Sequence, residues 1–145
     1  MTATTYRILD TVADSFNPLL ALVALAMPLL HKPRNLLTSI AYYVSTGAAI
    51  AFVYLVRALD DRYLLWTSLG LDYSTHSAFA ASLVVSIGAF YKRWLTPLVC
   101  ATLAYFALEL IMRYHGLADI ISAAALAAVA AWLIHLAAMR AFKPA

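Results

Sequence analysis

The sequence predicts an all-α polytopic membrane bundle of about five transmembrane helices, with a short interfacial helix ahead of the first. Composition is the first reason: 65% of the 145 residues are hydrophobic and only 12% are charged, where a soluble domain carries roughly 25% charged residues. A soluble domain of this size leaves about a third of its chain surface wet and cannot hide so much apolar surface. The second reason is length: the apolar residues gather in runs close to the roughly 20 that a helix needs to cross hydrocarbon. The third is periodicity, since none of the runs alternates with the period of two that marks a strand.

Residues 1–14 come first. Tyr6, Leu9, Val12, Ala13 and Phe16 recur at helical spacing, while Thr5, Arg7, Asp10 and Asp14 fall largely elsewhere. That pattern predicts a short amphipathic helix lying on the membrane surface. Charges precede any apolar run, the wrong order for a cleavable signal peptide, so the first membrane helix is expected to direct insertion itself. The spans follow: Ser15–Leu30, interrupted by Pro18 and Pro28, then Asn35–Val56, Tyr73–Tyr91, Trp94–Met112 and the alanine-rich Ile120–Met139. One connection is long. Arg57 to Asp72 is half apolar and reads as an interfacial or partly re-entrant outer-face loop, with Trp66 near the headgroups. The whole chain, 1–145, reads as one membrane domain.

Five crossings sort the charges. One side receives Lys32, Arg34, Lys92, Arg93, Arg140 and Lys143, and no acidic residue. The other receives Arg7, Arg57, Arg62 and Arg113 together with all seven acidic residues. The positive-inside rule makes the first side cytoplasmic. The second is then periplasmic, and the expected location is the bacterial cytoplasmic membrane with the C-terminus inside. The sequence pI near 9.1 reflects these basic loops. No basic cluster exceeds two adjacent residues, so nucleic acid is not an expected partner. The single Cys100 excludes an intrachain disulfide.

Polar and ionisable groups near membrane helices are costly and are functional candidates by default. Ser74 or Thr75 is placed to cap the third span, whose free N–H groups attract anions, and His76 stands beside them. His115 and Asp119 are spaced i, i+4, so one face of a turn can join a carboxylate to an imidazole nitrogen. Gly116 allows a close turn between them. Glu109 and Arg113 share the same spacing in the favourable order and read as a structural ion pair. Arg57 and Arg62 are candidates for holding an anion or lipid headgroups. His31 and His135 read as structural.

Taken together, the outer-face residues resemble the type 2 phosphatidic acid phosphatase superfamily of membrane lipid phosphatases. That family carries K-x6-R-P, then P-S-G-H, then S-R-x5-H-x3-D. Tyr73-Ser74-Thr75-His76 stands where P-S-G-H would be, and His115-Gly-Leu-Ala-Asp119 keeps H-x3-D. The 39 residues from His76 to His115 hold one hairpin of two spans, as in the family. The likeness covers residues 57–139. It implies that His115 attacks phosphorus to form a phosphohistidine, oriented by Asp119, and that His76 protonates the leaving group. Ser74, Thr75 and the arginines Arg57, Arg62 and Arg113 would bind the phosphoryl oxygens. The implied substrate is a lipid phosphate or polyprenyl diphosphate, with no metal or other cofactor. The chain departs from the family in lacking the first motif's Lys-x6-Arg and in placing Leu108-Glu109 where Ser-Arg belongs. A Glu repels the phosphate that an Arg would clamp.

Three other readings compete. An impaired family member would bind lipid or a partner protein. A diheme electron carrier would pair His76 with His115 and His31 with His135. A zinc site would draw on His76, His115, Asp119 and Glu109.

Overall fold

The computed structural model describes residues 2–31 and 36–142; the expected boundary at Asn35 and the basic residues Lys32, Arg34 and Lys143 lie outside them. Five α-helices account for most of the chain: α1 (Ala3–Leu30), α2 (Leu36–Tyr63), α3 (Thr75–Phe90), α4 (Leu95–Met112) and α5 (Leu117–Ala141). The all-α bundle expected from the sequence is the observed fold. Helices α1, α2, α4 and α5 are long and apolar enough to cross a membrane. Short 3-10 turns at Thr67–Leu69 and Lys92–Trp94 punctuate the connections.

Helix α3 is the hub. It packs against all four other helices, most extensively α5 and α2. Small residues make this possible: Ala78, Ala80 and Ser82 of α3 and Ala123, Ala127 and Ala131 of α5 are buried, so the backbones approach closely. With 16 residues, α3 is also the shortest helix. It rises only about 24 Å at 1.5 Å per residue, against about 42 Å for α2. Its start is therefore recessed. Tyr73 Oη reaches the Val53 carbonyl at 3.4 Å, and α2 continues from there to Tyr63. Ser74 and Ser77 at the top of α3 are wholly buried.

Two expected boundaries move. Residues 3–14 do not form a separate surface helix; they continue without a break into the first span. Thr2 caps the helix by accepting from the Thr5 N–H at 3.2 Å. Ala13 is buried, and Phe16 stacks on Tyr105 with ring centroids 4.3 Å apart. Ala13 and Phe16 thus face the bundle, while Tyr6 and Val12 of the same stripe stay exposed. Likewise the outer-face connection begins at Leu64, not Arg57, because α2 runs on through Tyr63. Leu64 takes a left-handed φ of 53°, and the buried Asp60 accepts from the Trp66 N–H at 2.8 Å, closing the turn. Trp66 then folds onto α5, donating its indole N–H to Ser122 at 2.9 Å.

Pro28 shows how a spanning helix tolerates proline. It has no N–H for the Ala24 carbonyl one turn earlier, and Tyr42 Oη donates to that oxygen instead, at 2.8 Å. Tyr43 donates to the Leu25 carbonyl at 2.9 Å. These bonds join the end of α1 to the start of α2. Elsewhere α1 packs more on α3 and α4 than on α2.

Candidate functional site

The end of the bundle where α3 begins and α4 finishes holds a buried carboxylate. Glu109 is wholly inaccessible. Ser77 Oγ donates to its Oε2 at 2.5 Å and Tyr105 Oη to its Oε1 at 2.9 Å. Each donor is itself supported: Ser74 Oγ donates to Ser77 Oγ at 2.8 Å, and Asn17 Nδ2 to Tyr105 Oη at 3.3 Å. Three helices, α1, α3 and α4, thereby converge on one acceptor. The carboxylate also lies one hydroxyl away from the start of α3, where it offsets the positive end of that helix's dipole. The expected Glu109–Arg113 ion pair is absent. Arg113 ends α4 in a left-handed conformation, φ 58°, and its exposed side chain forms no ion pair among the described residues.

Beside this centre lies a cavity of about 500 Å³ between α1, α2, α3 and α4. Asp14, Asn17, Pro18 and Ala21 line it from α1, with Tyr54 from α2, Thr75, His76 and Phe79 from α3, Tyr105 from α4, and Tyr114. No lysine or arginine is among its lining residues. Asn17 is almost fully buried and bridges two helices, donating to the His76 carbonyl at 3.2 Å as well as to Tyr105. Tyr114 Oη donates to Asp10. That bond, then desolvation and the Asp10 charge, raises the Tyr114 phenol above its ordinary range.

The residues expected to form a phosphohistidine centre are placed differently. Ser74 does cap α3, accepting from the Ser77 N–H at 3.3 Å. Asp119 does not reach His115. Its Oδ2 accepts from the Gly116 N–H at 2.7 Å and its Oδ1 from the Asp72 N–H at 2.9 Å. These bonds cap α5 and pin the α2–α3 connection to it. A Cβ on Gly116 would lie 3.0 Å from Asp119 Oδ2, so a larger residue here would press on the capping carboxylate. The carboxylate beside His115 belongs to Asp72, with Oδ2 at 3.2 Å from Nδ1, but the angle is not that of a hydrogen bond and Nδ1 has no hydrogen-bond partner among the described residues. Among the described residues no hydrogen bond or ion pair joins His76 to His115 or Asp119; His76 and Thr75 line the cavity and the other two do not. Arg57 is held by Asp61 at 2.8 Å, and Arg62 is exposed.

At the opposite end of the bundle His135, which the sequence marks as structural, ties helices together. His135 is wholly buried, with Nδ1 2.7 Å from Ser45 Oγ and Nε2 2.8 Å from Ser86 Oγ. It ties α5 to α2 and α3. Both ring nitrogens are engaged, which removes it as a haem ligand. Among the described residues no three His, Cys, Asp or Glu side chains stand together as a metal site.

Asn17, Tyr54 and Tyr105 were not singled out from the sequence. The available signal was a polar Asn17 next to Pro18 inside an apolar run. No family model, curated protein or solved structure matches the chain.

Proposed function

We propose that this chain is an integral membrane protein that binds an amphipathic lipid between α1 and α2 and does not hydrolyse it. The observation that carries this reading is Glu109. It occupies the position where the phosphatase likeness requires a phosphate-clamping arginine, and both its oxygens are committed to Ser77 and Tyr105. A lipid phosphate brought to the top of α3 meets a carboxylate, with no cation lining the cavity to offset the repulsion.

Other features agree. Tyr42 and Tyr43 of α2 hold the C-terminal part of α1, and α1 otherwise packs more on α3 and α4 than on α2; this supports sideways entry of a chain-bearing ligand between α1 and α2. The cavity is of ordinary small-ligand size, and its wall mixes aromatic rings with a few polar groups. The charge asymmetry of the loops supports an outward orientation of this end, on the periplasmic side of a bacterial inner membrane. Native mass spectrometry of protein released from lipid–detergent micelles tests the reading. Wild type should retain one lipid per chain, and Ala21→Trp, which fills the cavity, should retain none. Equal retention by the two proteins, or none by wild type, overturns it.

A second reading is the phosphohistidine lipid phosphatase, and one contact favours it. Asp72 Oδ2 lies 3.2 Å from Nδ1 of His115 without hydrogen-bond geometry; a rotation that completed the bond would leave Nε2 free to attack phosphorus. Asp72 would then orient the nucleophile in place of Asp119. His76 would give the proton to the leaving oxygen, and Arg57, Arg62 or Arg113 would have to move to the phosphate. Phosphate release that is lost in His115→Ala would establish this reading over the first.

A further inference from the structure

The geometry points to a primary ammonium headgroup as the ligand of the outer cavity, a deepening that rests on the lipid-binding reading above. The α1 side of the cavity carries two polar side chains, Asp14 and Asn17, with acceptor oxygens that have no partner among the described residues. Asp14 lines the cavity with an exposed carboxylate that has no hydrogen bond or ion pair among the described residues, unlike Asp10, which takes Tyr114. Pro18 stands four residues later and has no N–H to give the Asp14 carbonyl. At Pro28 the corresponding orphan, the Ala24 carbonyl, is satisfied by Tyr42. At Pro18 no side chain among the described residues takes that place. Asn17 adds a third acceptor: it is 8% exposed, its amide hydrogens go to His76 and Tyr105, and its Oδ1 has no partner.

A primary ammonium carries three N–H donors and a positive charge. It meets that acceptor set and neutralises Asp14, a charge that is costly near the membrane without a partner. The remaining wall suits the same ligand. Tyr54, Phe79 and Tyr114 line the cavity, and aromatic faces attract cations most strongly where water is excluded. Thr75 and His76 can donate or accept and do not oppose it. An anionic headgroup meets Asp14 with no compensating lysine or arginine. The alkyl chain of the ligand leaves through the gap between α1 and α2.

Binding of three single-chain amphiphiles to the full protein in neutral micelles, read by isothermal titration, tests this. The probes are dodecylammonium, dodecyl phosphate and an uncharged monoacylglycerol. A zwitterionic phosphoethanolamine lipid in a further arm tells a lipid amine from a free long-chain amine. Dodecylammonium should bind wild type at least about tenfold more tightly than it binds Asp14→Asn. Tyr54→Leu should also weaken it, and dodecyl phosphate should bind least. Asp14 makes no structural bond, so the Asn variant should fold as wild type does. Dodecyl phosphate binding more tightly than dodecylammonium, or an ammonium affinity unchanged within twofold in Asp14→Asn, overturns the inference. If the monoacylglycerol still binds and Ala21→Trp abolishes that binding, the lipid-binding reading survives while the ammonium assignment falls. If no probe binds, both fall.

Discussion

Replacing Glu109 with alanine removes the acceptor on which α1, α3 and α4 converge. Two hydroxyl donors lose their partner, Ser77 at 2.5 Å and Tyr105 at 2.9 Å, in a site with no access for water. A buried donor left unsatisfied costs about 1–3 kcal/mol. Two of them give about 2–6 kcal/mol, and relief from burying the carboxyl group returns part of that. The expected net loss is about 2–4 kcal/mol. Glu109→Gln keeps one acceptor oxygen and should fall between alanine and wild type. The assay is reversible unfolding in mixed micelles of neutral detergent and dodecyl sulfate, followed by tryptophan fluorescence. A double-mutant cycle with Ser77→Ala should show a coupling of about 1 kcal/mol or more. A Glu109→Ala variant within about 0.5 kcal/mol of wild type, the range of an ordinary surface change, would refute the view that this carboxylate organises its end of the bundle.

His135→Ala, which unties α5 from Ser45 and Ser86 and leaves a void, should cost about 2–4 kcal/mol in the same assay. Arg113→Gly should stabilise the protein by up to about 1 kcal/mol, because the left-handed φ of 58° at the end of α4 suits glycine; lipid retention should not change. The Tyr114 phenol should titrate above its ordinary pKa of 10.0 because it donates to Asp10. The folded-state pKa is raised, so the stability this bond contributes is complete below pH about 10 and is lost as pH rises through the higher folded value. Absorbance titration of wild type against Tyr114→Phe checks this.

The spans were legible in the sequence because a bilayer demands long apolar runs and little else produces them. What lay beyond the bilayer was less legible. Ala13 and Phe16 form the same stripe whether it faces lipid headgroups or a neighbouring helix, so α1 read as two pieces. Residues 57–63 are polar enough to look like loop, yet a helix continues readily past the membrane surface. The site was legible by residue type and not by pairing. Spacing of i, i+4 suggested Glu109 with Arg113 and His115 with Asp119, but a left-handed α4 terminus breaks the first pair and α5 capping takes Asp119 from the second. The partner that His115 finds, Asp72, is 43 residues away, beyond any local pattern. Ser74 as a cap was readable because N-capping is local. Asn17 acquires its meaning only when α3 and α4 arrive beside it.

Hydrolysis or retention is the central distinction, and phosphate release decides it. Purified protein in neutral micelles is given a panel of lipid phosphates and polyprenyl diphosphates beside His115→Ala. The account predicts release no faster than from protein-free micelles, and no difference between wild type and variant. Sustained release by wild type that falls tenfold or more in His115→Ala would contradict it and establish the phosphohistidine chemistry instead.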